Sequence, residues 1–132
     1  MKSVVSTPYA VPPLRAFSQA TIHEGKVYAS GSIGCDKNYV LVKGGIKAQT
    51  RAALENLENV LQAAGSGLQH IIKANVYITD MPKNFMPMNE AYCEYFPQAP
   101  PARTCVGVVA LPLGAEVEIE CVAEIPESKS KY

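Results

Sequence analysis

Arg103 lies near the start of a largely apolar segment, residues 100–125, with the sequence PPARTCVGVVALPLGAEVEIECVAEI. Cys105 follows it closely, and glutamates alternate with apolar residues further along. A guanidinium binds a carboxylate through two parallel hydrogen bonds, a thiolate is a nucleophile, and a carboxylate orients water or accepts a proton. The segment therefore offers an anion anchor, a nucleophile and an acid–base group. The competing interpretations of Arg103 are a solvated strand end and half of an ion pair.

The thiol is the weakest of these candidates. A nucleophilic cysteine needs a nearby base or cation that lowers its pKa, and no histidine lies near Cys105 in the sequence. The two histidines, His23 and His70, have no neighbour that suggests a catalytic triad. The four cysteines include no C-x-x-C pair and no histidine at metal-ligand spacing. We therefore predict a packed or site-lining Cys105, free thiols and no metal site.

The glutamates alternate from Glu116 to Glu124, and the simplest interpretation is the solvated face of a strand. A second interpretation places PLGA in the loop of a hairpin, so that Arg103 shares a face with the glutamates and forms a polar site. A tight hairpin sets Arg103 opposite Glu124 and leaves Glu118 roughly 20 Å away. Either the pairing is irregular, or Arg103 meets Glu118 of a neighbouring chain.

Strand and helix patterns alternate along the rest of the chain. Residues 1–13 are rich in proline and should be extended and irregular. Residues 17–25 and 26–34 predict a hairpin that turns at Glu24 and Gly25, and residues 38–45 predict at most a short edge strand. Leu54, Leu57 and Leu61 recur at helical spacing, which predicts a helix over 46–64 that ends before a Gly-Ser-Gly sequence.

Three more elements follow. Residues 70–80 alternate strictly, which predicts a half-buried strand whose apolar face comprises Ile72, Ala74, Val76 and Ile78. A second helix is predicted over 87–96, because Pro87 is best tolerated in a first turn. The segment that begins at Arg103 supplies the last two strands, predicted to form a hairpin.

The resulting order, β-β-(β)-α-β-α-β-β, predicts an α+β fold with both helices on one face of a single sheet. The other face is predicted to carry Tyr77, Thr79, Cys105 and Val109, which is too apolar for contact with water. Burial against another copy of the chain follows, and we predict an oligomer.

The length and the net charge of the chain limit its possible functions. A chain of 132 residues predicts one domain, with residues 127–132 as a flexible tail. The formal net charge is zero, which disfavours nucleic acid and anionic membranes as partners. The beginning of the chain has no apolar run typical of a secretory signal, and no segment approaches the roughly 20 apolar residues of a membrane span. We expect a cytoplasmic protein, with a mitochondrial pool left open.

Several separated motifs resemble the reactive intermediate deaminase (Rid) family, especially its imine deaminase subgroup. PPARTCVGVVALPLG resembles the family pattern P-A-R-[ST]-x-V-x-V-x-x-L-P, and YASGSIG resembles its S-G-Q-[IL] segment. AALENLENVLQAAGSGLQHIIKANVYITD is similar to its first helix and the following strand. MNEAYCEYFPQAPPARTC resembles its N-x-x-Y-x-x-[FY]-F and arginine segment. The resemblance covers residues 14–125 in consistent order and spacing.

The resemblance implies a chorismate-mutase-like fold that assembles as a homotrimer with ligand clefts between subunits. It also implies hydrolysis of 2-imino acids and their enamines, such as 2-iminobutanoate and 2-iminopropanoate, to 2-oxo acids and ammonia without a cofactor. By position, the carboxylate-binding arginine of the family falls on Arg103 and its water-orienting glutamate on Glu118. Its substrate-lining positions fall on Phe17, Ser30, Gly31, Asn89 and Cys105.

Two positions depart from the family pattern. The family usually has tyrosine where this chain has Phe17, so a phenol able to bond substrate or water is missing. Ser32 stands where glutamine is common. The first departure bears on catalytic rate and both bear on specificity. The alternative function is therefore a non-catalytic trimer that binds small carboxylates as a sensor or chaperone-like protein. A ribonuclease is disfavoured by the neutral charge and the missing acid–base pair.

Overall fold

In a computed structural model, the chain folds into a six-stranded mixed sheet with two helices on one face. The structure describes residues 1–127. The elements in chain order are β1 (Ser3–Val5), β2 (Ala20–His23), β3 (Lys26–Ile33), α1 (Gly45–Ala63), β4 (Ile71–Ile78), α2 (Met81–Cys93), β5 (Ala102–Gly107) and β6 (Val117–Glu124). The strand order across the sheet is β1-β2-β3-β6-β4-β5. This confirms the predicted α+β fold. The predicted tail, residues 127–132, lies outside the described residues apart from its first residue.

The helix α1 forms where the leucine spacing predicts it. Leu54, Leu57 and Leu61 are at most 1% exposed, because residues three and four apart lie on the same side of a helix and face the sheet. The chain leaves the helix through Gly65, whose φ of 85° lies in the left-handed region that glycine adopts without strain. This helix supplies most of the apolar layer that covers β3 and β6.

The predicted C-terminal hairpin is wrong. The strand β6 lies between β3 and β4 and pairs antiparallel with both, whereas β5 pairs parallel with the far edge of β4. The strict alternation of β6 gives the strand one fully buried side, which includes Val117 and Ile119. The connection from β4 through α2 to β5 is a β-α-β unit, which requires parallel strands. Between β5 and β6 the chain makes a short 3₁₀ turn at Pro112–Gly114.

Three boundaries also differ from prediction. The third strand of the first half is β1, inside the Pro-rich segment, whereas residues 38–45 contribute only an isolated bridge between Cys35 and Leu41. The helix α2 begins at Met81 instead of residue 87, because Pro82 occupies its first turn, where a proline lacks no needed donor. Pro87 therefore lies inside the helix.

The apolar face of β4 starts one residue earlier than predicted. A register shift in the pairing with β6 falls between Ile71 and Lys73, so Ile71 is 8% exposed and Ile72 is 43% exposed. Such a bulge reverses the direction of the side chains that precede it. Ala74, Val76 and Ile78 point into the core as predicted.

The sheet therefore has one face covered by helices and one open face. Cys105 lies on the helix-covered face and packs against the core, which corrects its predicted position on the open face. Tyr77 does face the open side, as its register with Glu118 shows. None of the helices within residues 1–127 combines the length and the apolar character of a membrane span.

Candidate functional site

A bulge in β3 determines where Ser30 and Gly31 lie. From Ala29 to Ser32 the strand advances three residues while its partner β6 advances two, so one extra residue is accommodated there. The Ser30 hydroxyl donates to the carbonyl of Ser18 at 2.6 Å, and the Ser30 amide donates to the carbonyl of Gln19 at 3.0 Å. The bulge is thereby attached to the segment that carries Phe17.

The carboxylate of Glu118 lies directly against Gly31. A Cβ atom added to Gly31 would lie 2.3 Å from Oε2 of Glu118, so a side chain at residue 31 would displace the carboxylate. Burial raises the pKa of Glu118, and the negative charge of Glu120 on the same strand raises it further. A carboxylate with a raised pKa is a better proton acceptor than an ordinary glutamate.

A cavity of about 540 Å³ opens beside this carboxylate. Its walls include four of the sequence-predicted site residues: Phe17, Ser30, Gly31 and Glu118. The rest of the lining comes from the first 19 residues, β3, the loop after β3, α1 and the turn before β6. The other three predicted residues, Asn89, Arg103 and Cys105, do not line it.

Those three residues belong to α2 and β5, two elements that meet where Arg103 contacts Tyr92, and this region is called the α2–β5 cluster. The guanidinium of Arg103 lies over the ring of Tyr92, with Cζ 4.8 Å from the ring centroid. The same ring packs against Phe96, with centroids 4.6 Å apart. A guanidinium over an aromatic face is held by cation–π attraction, and the N–H groups at its own edge stay available to a ligand.

Two polar atoms of the α2–β5 cluster are buried without a hydrogen-bond partner among the described residues. They are Oδ1 of Asn89 and the hydroxyl of Tyr92, a residue that is 4% exposed. Burial raises the pKa of Tyr92 to about 12, and the nearby Arg103 opposes this only in part. Unpaired buried polar atoms destabilise a fold, so their presence here favours a binding function for the cluster.

We expect Tyr92→Phe to stabilise the free protein by about 1 kcal/mol, because it removes a buried hydroxyl that has no partner and keeps the ring beneath Arg103. Urea unfolding followed by far-UV circular dichroism measures this difference. The matched variant Tyr92→Leu loses the ring and should destabilise the protein. An unfolding free energy for Tyr92→Phe below that of the unmodified protein contradicts the assignment of an unpaired hydroxyl.

Cys105 is not poised as a nucleophile. Burial raises the pKa of its thiol, and the positive charge of Arg103 lowers it by less. The thiol is therefore protonated at neutral pH, in agreement with its sequence-based interpretation as a packed or site-lining residue.

Arg103 and Glu118 lie on opposite faces of the sheet. Arg103 is in register with Ala74, which is in register with Cys121, and both of these neighbours are buried beneath the helices. Glu118 is in register with Tyr77 on the open face. The arginine and the glutamate of one chain therefore point in opposite directions, which corrects the inference that they share a face.

Their separation also prevents contact. Arg103 and Glu118 are three residues apart along the strand direction and two strands apart across the sheet. At about 3.4 Å for each residue and about 4.8 Å for each strand, the Cα atoms lie roughly 14 Å apart. A single chain does not bring together the two residues that the sequence analysis made catalytic.

Sequence reasoning missed two residues, one in the α2–β5 cluster and one beside the cavity. It did not single out Tyr92 as a site residue, although the spacing of three between Asn89 and Tyr92 sets both on one side of the helix. It read Leu113 as part of a loop, whereas Leu113 lines the cavity in the left-handed region at φ 60°. Within residues 1–127 no group of three or more His, Cys, Asp or Glu side chains is placed to bind a metal ion.

The family model described as endoribonuclease L-PSP matches residues 7–125. Among curated relatives, the RutC family protein UK114 of Drosophila melanogaster is 43% identical over 124 residues, which cover 93% of this chain and 89% of the relative. The 2-iminobutanoate/2-iminopropanoate deaminase of Rattus norvegicus is 38% identical over 124 residues, which cover 93% of this chain and 90% of that protein.

Solved structures agree with this fold. The crystal structure of yeast Mmf1 superposes with a TM-score of 0.91 at 36% identity and covers 96% of this chain and 100% of that one. The crystal structure of E. coli TdcF with bound serine superposes with a TM-score of 0.86 at 30% identity and covers 92% of this chain and 98% of that one.

Proposed function

The chain belongs to the endoribonuclease L-PSP family, also known as the Rid family, and from this premise we propose that it hydrolyses 2-imino acids and their enamines to 2-oxo acids and ammonia. The mammalian relatives named 2-iminobutanoate/2-iminopropanoate deaminase support the reaction class. The observation that carries the proposal is that the chain holds both a guanidinium over the ring of Tyr92 and a partly buried carboxylate that borders a cavity.

These groups match the chemistry of the substrate. A 2-imino acid has a carboxylate next to an electrophilic carbon, and Arg103 would bind that carboxylate through two parallel hydrogen bonds. Glu118 would accept a hydrogen bond from one water and direct its oxygen at the imine carbon. Attack gives a tetrahedral aminoalcohol, whose C–N bond breaks to release ammonia and leave the 2-oxo acid. TdcF, solved with serine, binds a ligand with a comparable carboxylate.

We propose that the site forms between subunits of a homotrimer. Arg103 and Glu118 point from opposite faces of one chain, so a shared substrate requires the arginine of one subunit and the glutamate of the next. The open face also exposes apolar surface, including Tyr28 at 44% and Val106 at 41%. Contact with a further copy would bury this surface.

The reaction is tested by generating 2-iminobutanoate with a threonine dehydratase and following loss of the imine with and without the protein. We expect acceleration in proportion to protein concentration. If the protein binds 2-oxobutanoate but leaves the imine lifetime unchanged, the alternative function, a non-catalytic carboxylate-binding trimer, is correct.

A mixing experiment tests the shared site. Arg103→Ala and Glu118→Gln should each be inactive alone, yet trimers assembled from both variants should regain part of the activity. The reason is that an Arg103 from one variant then meets a Glu118 from the other across an interface. Co-expression with two affinity tags isolates the mixed trimers, and light scattering gives their mass. A monomer mass, or no recovery in mixed trimers, contradicts the shared site.

We do not extend the name endoribonuclease to this chain. The formal net charge is zero, whereas affinity for RNA depends largely on cationic contacts with phosphate. Incubation with a labelled RNA, with Arg103→Ala as the control, checks this, and cleavage that requires Arg103 would contradict it.

The proposed compartment is the cytoplasm, with a mitochondrial pool as the alternative. The relatives Mmf1 of Saccharomyces cerevisiae and Schizosaccharomyces pombe are named mitochondrial. Fractionation of the source cells with an antibody against the chain distinguishes the two.

A further inference from the structure

The cavity beside Glu118 is larger than the smallest 2-imino acids require. Its volume is about 540 Å³. At about 30 Å³ for each non-hydrogen atom, the volume share of one water, 2-iminopropanoate occupies only roughly 180 Å³. The cavity of one chain therefore has room for a side chain larger than a methyl group.

The walls of that space are apolar. Leu14, Phe17 and Leu113 form its rim and are 54%, 44% and 56% exposed. Leu57 and Val60 of α1 form its floor and are 1% and 3% exposed. Phe17 presents a ring without a hydroxyl here, so the rim offers carbon where a tyrosine would offer a hydrogen bond.

The polar side chains deeper in the cavity already have partners. The amide of Gln19 donates to two carbonyls of the Pro-rich segment at 3.1 and 3.0 Å. Asn56 accepts from the Val11 amide at 2.7 Å and donates to the Ser32 hydroxyl at 3.0 Å, which in turn donates to the carbonyl of Ala53 at 2.9 Å. A polar ligand group would find no free side-chain partner among these residues, whereas an apolar one leaves every bond intact.

Resting on the proposed function, we propose that this cavity binds the substrate side chain and that the preferred substrates are 2-imino acids with long or branched apolar side chains. The carboxylate of such a substrate binds Arg103 of the neighbouring subunit, its imine carbon lies beside Glu118, and its side chain extends between Phe17 and α1. The polar and apolar halves of the ligand thus meet surfaces of matching chemistry.

Two imines made by one enzyme test the preference. An L-amino acid oxidase with catalase converts leucine and alanine to their imines, and the loss of each is followed with increasing amounts of protein. We expect kcat/KM to be at least about tenfold higher for the leucine-derived imine, since each buried methylene in an apolar pocket contributes a factor of roughly 10 or more. Equal values, or a preference for the alanine-derived imine, overturn the inference.

A matched pair of variants locates the effect. Leu14→Trp narrows the rim and should lower kcat/KM for the leucine-derived imine by about tenfold, while that for the alanine-derived imine changes little. Val40→Trp adds the same bulk at a side chain that is 59% exposed and does not line the cavity, and it should change neither value. Equal losses of both activities in Leu14→Trp would show general damage and contradict a side-chain pocket.

Calorimetric titration with the product acids separates this inference from the proposed reaction. We expect 4-methyl-2-oxopentanoate to bind more tightly than pyruvate. If neither imine is hydrolysed but this order of affinity holds, the proposed reaction fails and the pocket stands. If both imines are hydrolysed and the two acids bind equally, the reaction stands and the pocket fails.

Discussion

Replacing Arg103 with alanine is expected to lower kcat/KM for 2-iminobutanoate by at least about 100-fold, because removal of a bidentate, charge-assisted contact costs about 3 kcal/mol. The guanidinium of Arg103 lies over the ring of Tyr92, whose buried hydroxyl has no hydrogen-bond partner among residues 1–127. Arg103→Lys keeps the charge without the planar fork and should recover only part of the activity. Imine loss measured over a range of substrate concentrations separates kcat from KM.

Arg51→Ala is the control for this change. Arg51 forms an exposed ion pair with Glu94, with Nη2 and Oε2 2.8 Å apart, on the outer surface of the helices. Arg51 does not line the cavity beside Glu118, so removal of this arginine should leave kcat/KM unchanged. Equal activity of Arg103→Ala and the unmodified protein would contradict a role of Arg103 in binding the substrate carboxylate.

Replacing Glu118 with glutamine should lower kcat by about 100-fold and change KM little, since an amide keeps the shape but loses the proton-accepting charge. The pH profile carries a second signature of the same residue. The ionised carboxylate is the active form, so the rate is lost as the pH falls through the pKa of Glu118. Because burial and Glu120 raise that pKa above its usual 4.5, the acid limb should lie at a higher pH than for an ordinary glutamate.

Glu120→Gln tests the cause of this shift. The variant removes the neighbouring charge and retains an oxygen to accept the hydrogen bond that Asn75 donates to Glu120 at 3.1 Å. The acid limb should move to lower pH while the plateau rate stays close to that of the unmodified protein. An unchanged limb would contradict a contribution from Glu120 and leave burial as the cause of the raised pKa of Glu118.

Local patterns predicted most of the fold. The apolar residues of α1 recur at helical spacing and those of β6 at every second position, so the sequence alone predicts which side of each element is buried. The pairing of β5 and β6 did not follow, because two apolar strands around a turn satisfy the same local rules whether they pair or are separated by β4. Which strand lies at the centre of the sheet depends on contacts between segments far apart in the sequence, and no local pattern reports those contacts.

The candidate site was predicted in its residues more than in its arrangement. Motif resemblance identified Arg103 and Glu118 by position, but their faces depend on the strand order. The stacking of Arg103 on Tyr92 depends on the position of α2, whose first turn was predicted six residues too late. Pro87 within the helix misled the prediction, since a proline in a helix interior is normally unfavourable.

The bulge between Ala29 and Ser32 makes the number of residues in β3 as important as their identity. Val27 and Ser32 both point beneath the helices although five positions separate them, an odd spacing that an uninterrupted strand would send to opposite sides. Deleting the extra residue would leave Val27 and Ser32 four positions apart and on the same side of a regular strand, but it would remove the bulge that places Gly31 against Glu118. Homologous chains that use this carboxylate should therefore keep both the extra residue in this strand and the glycine that faces Glu118.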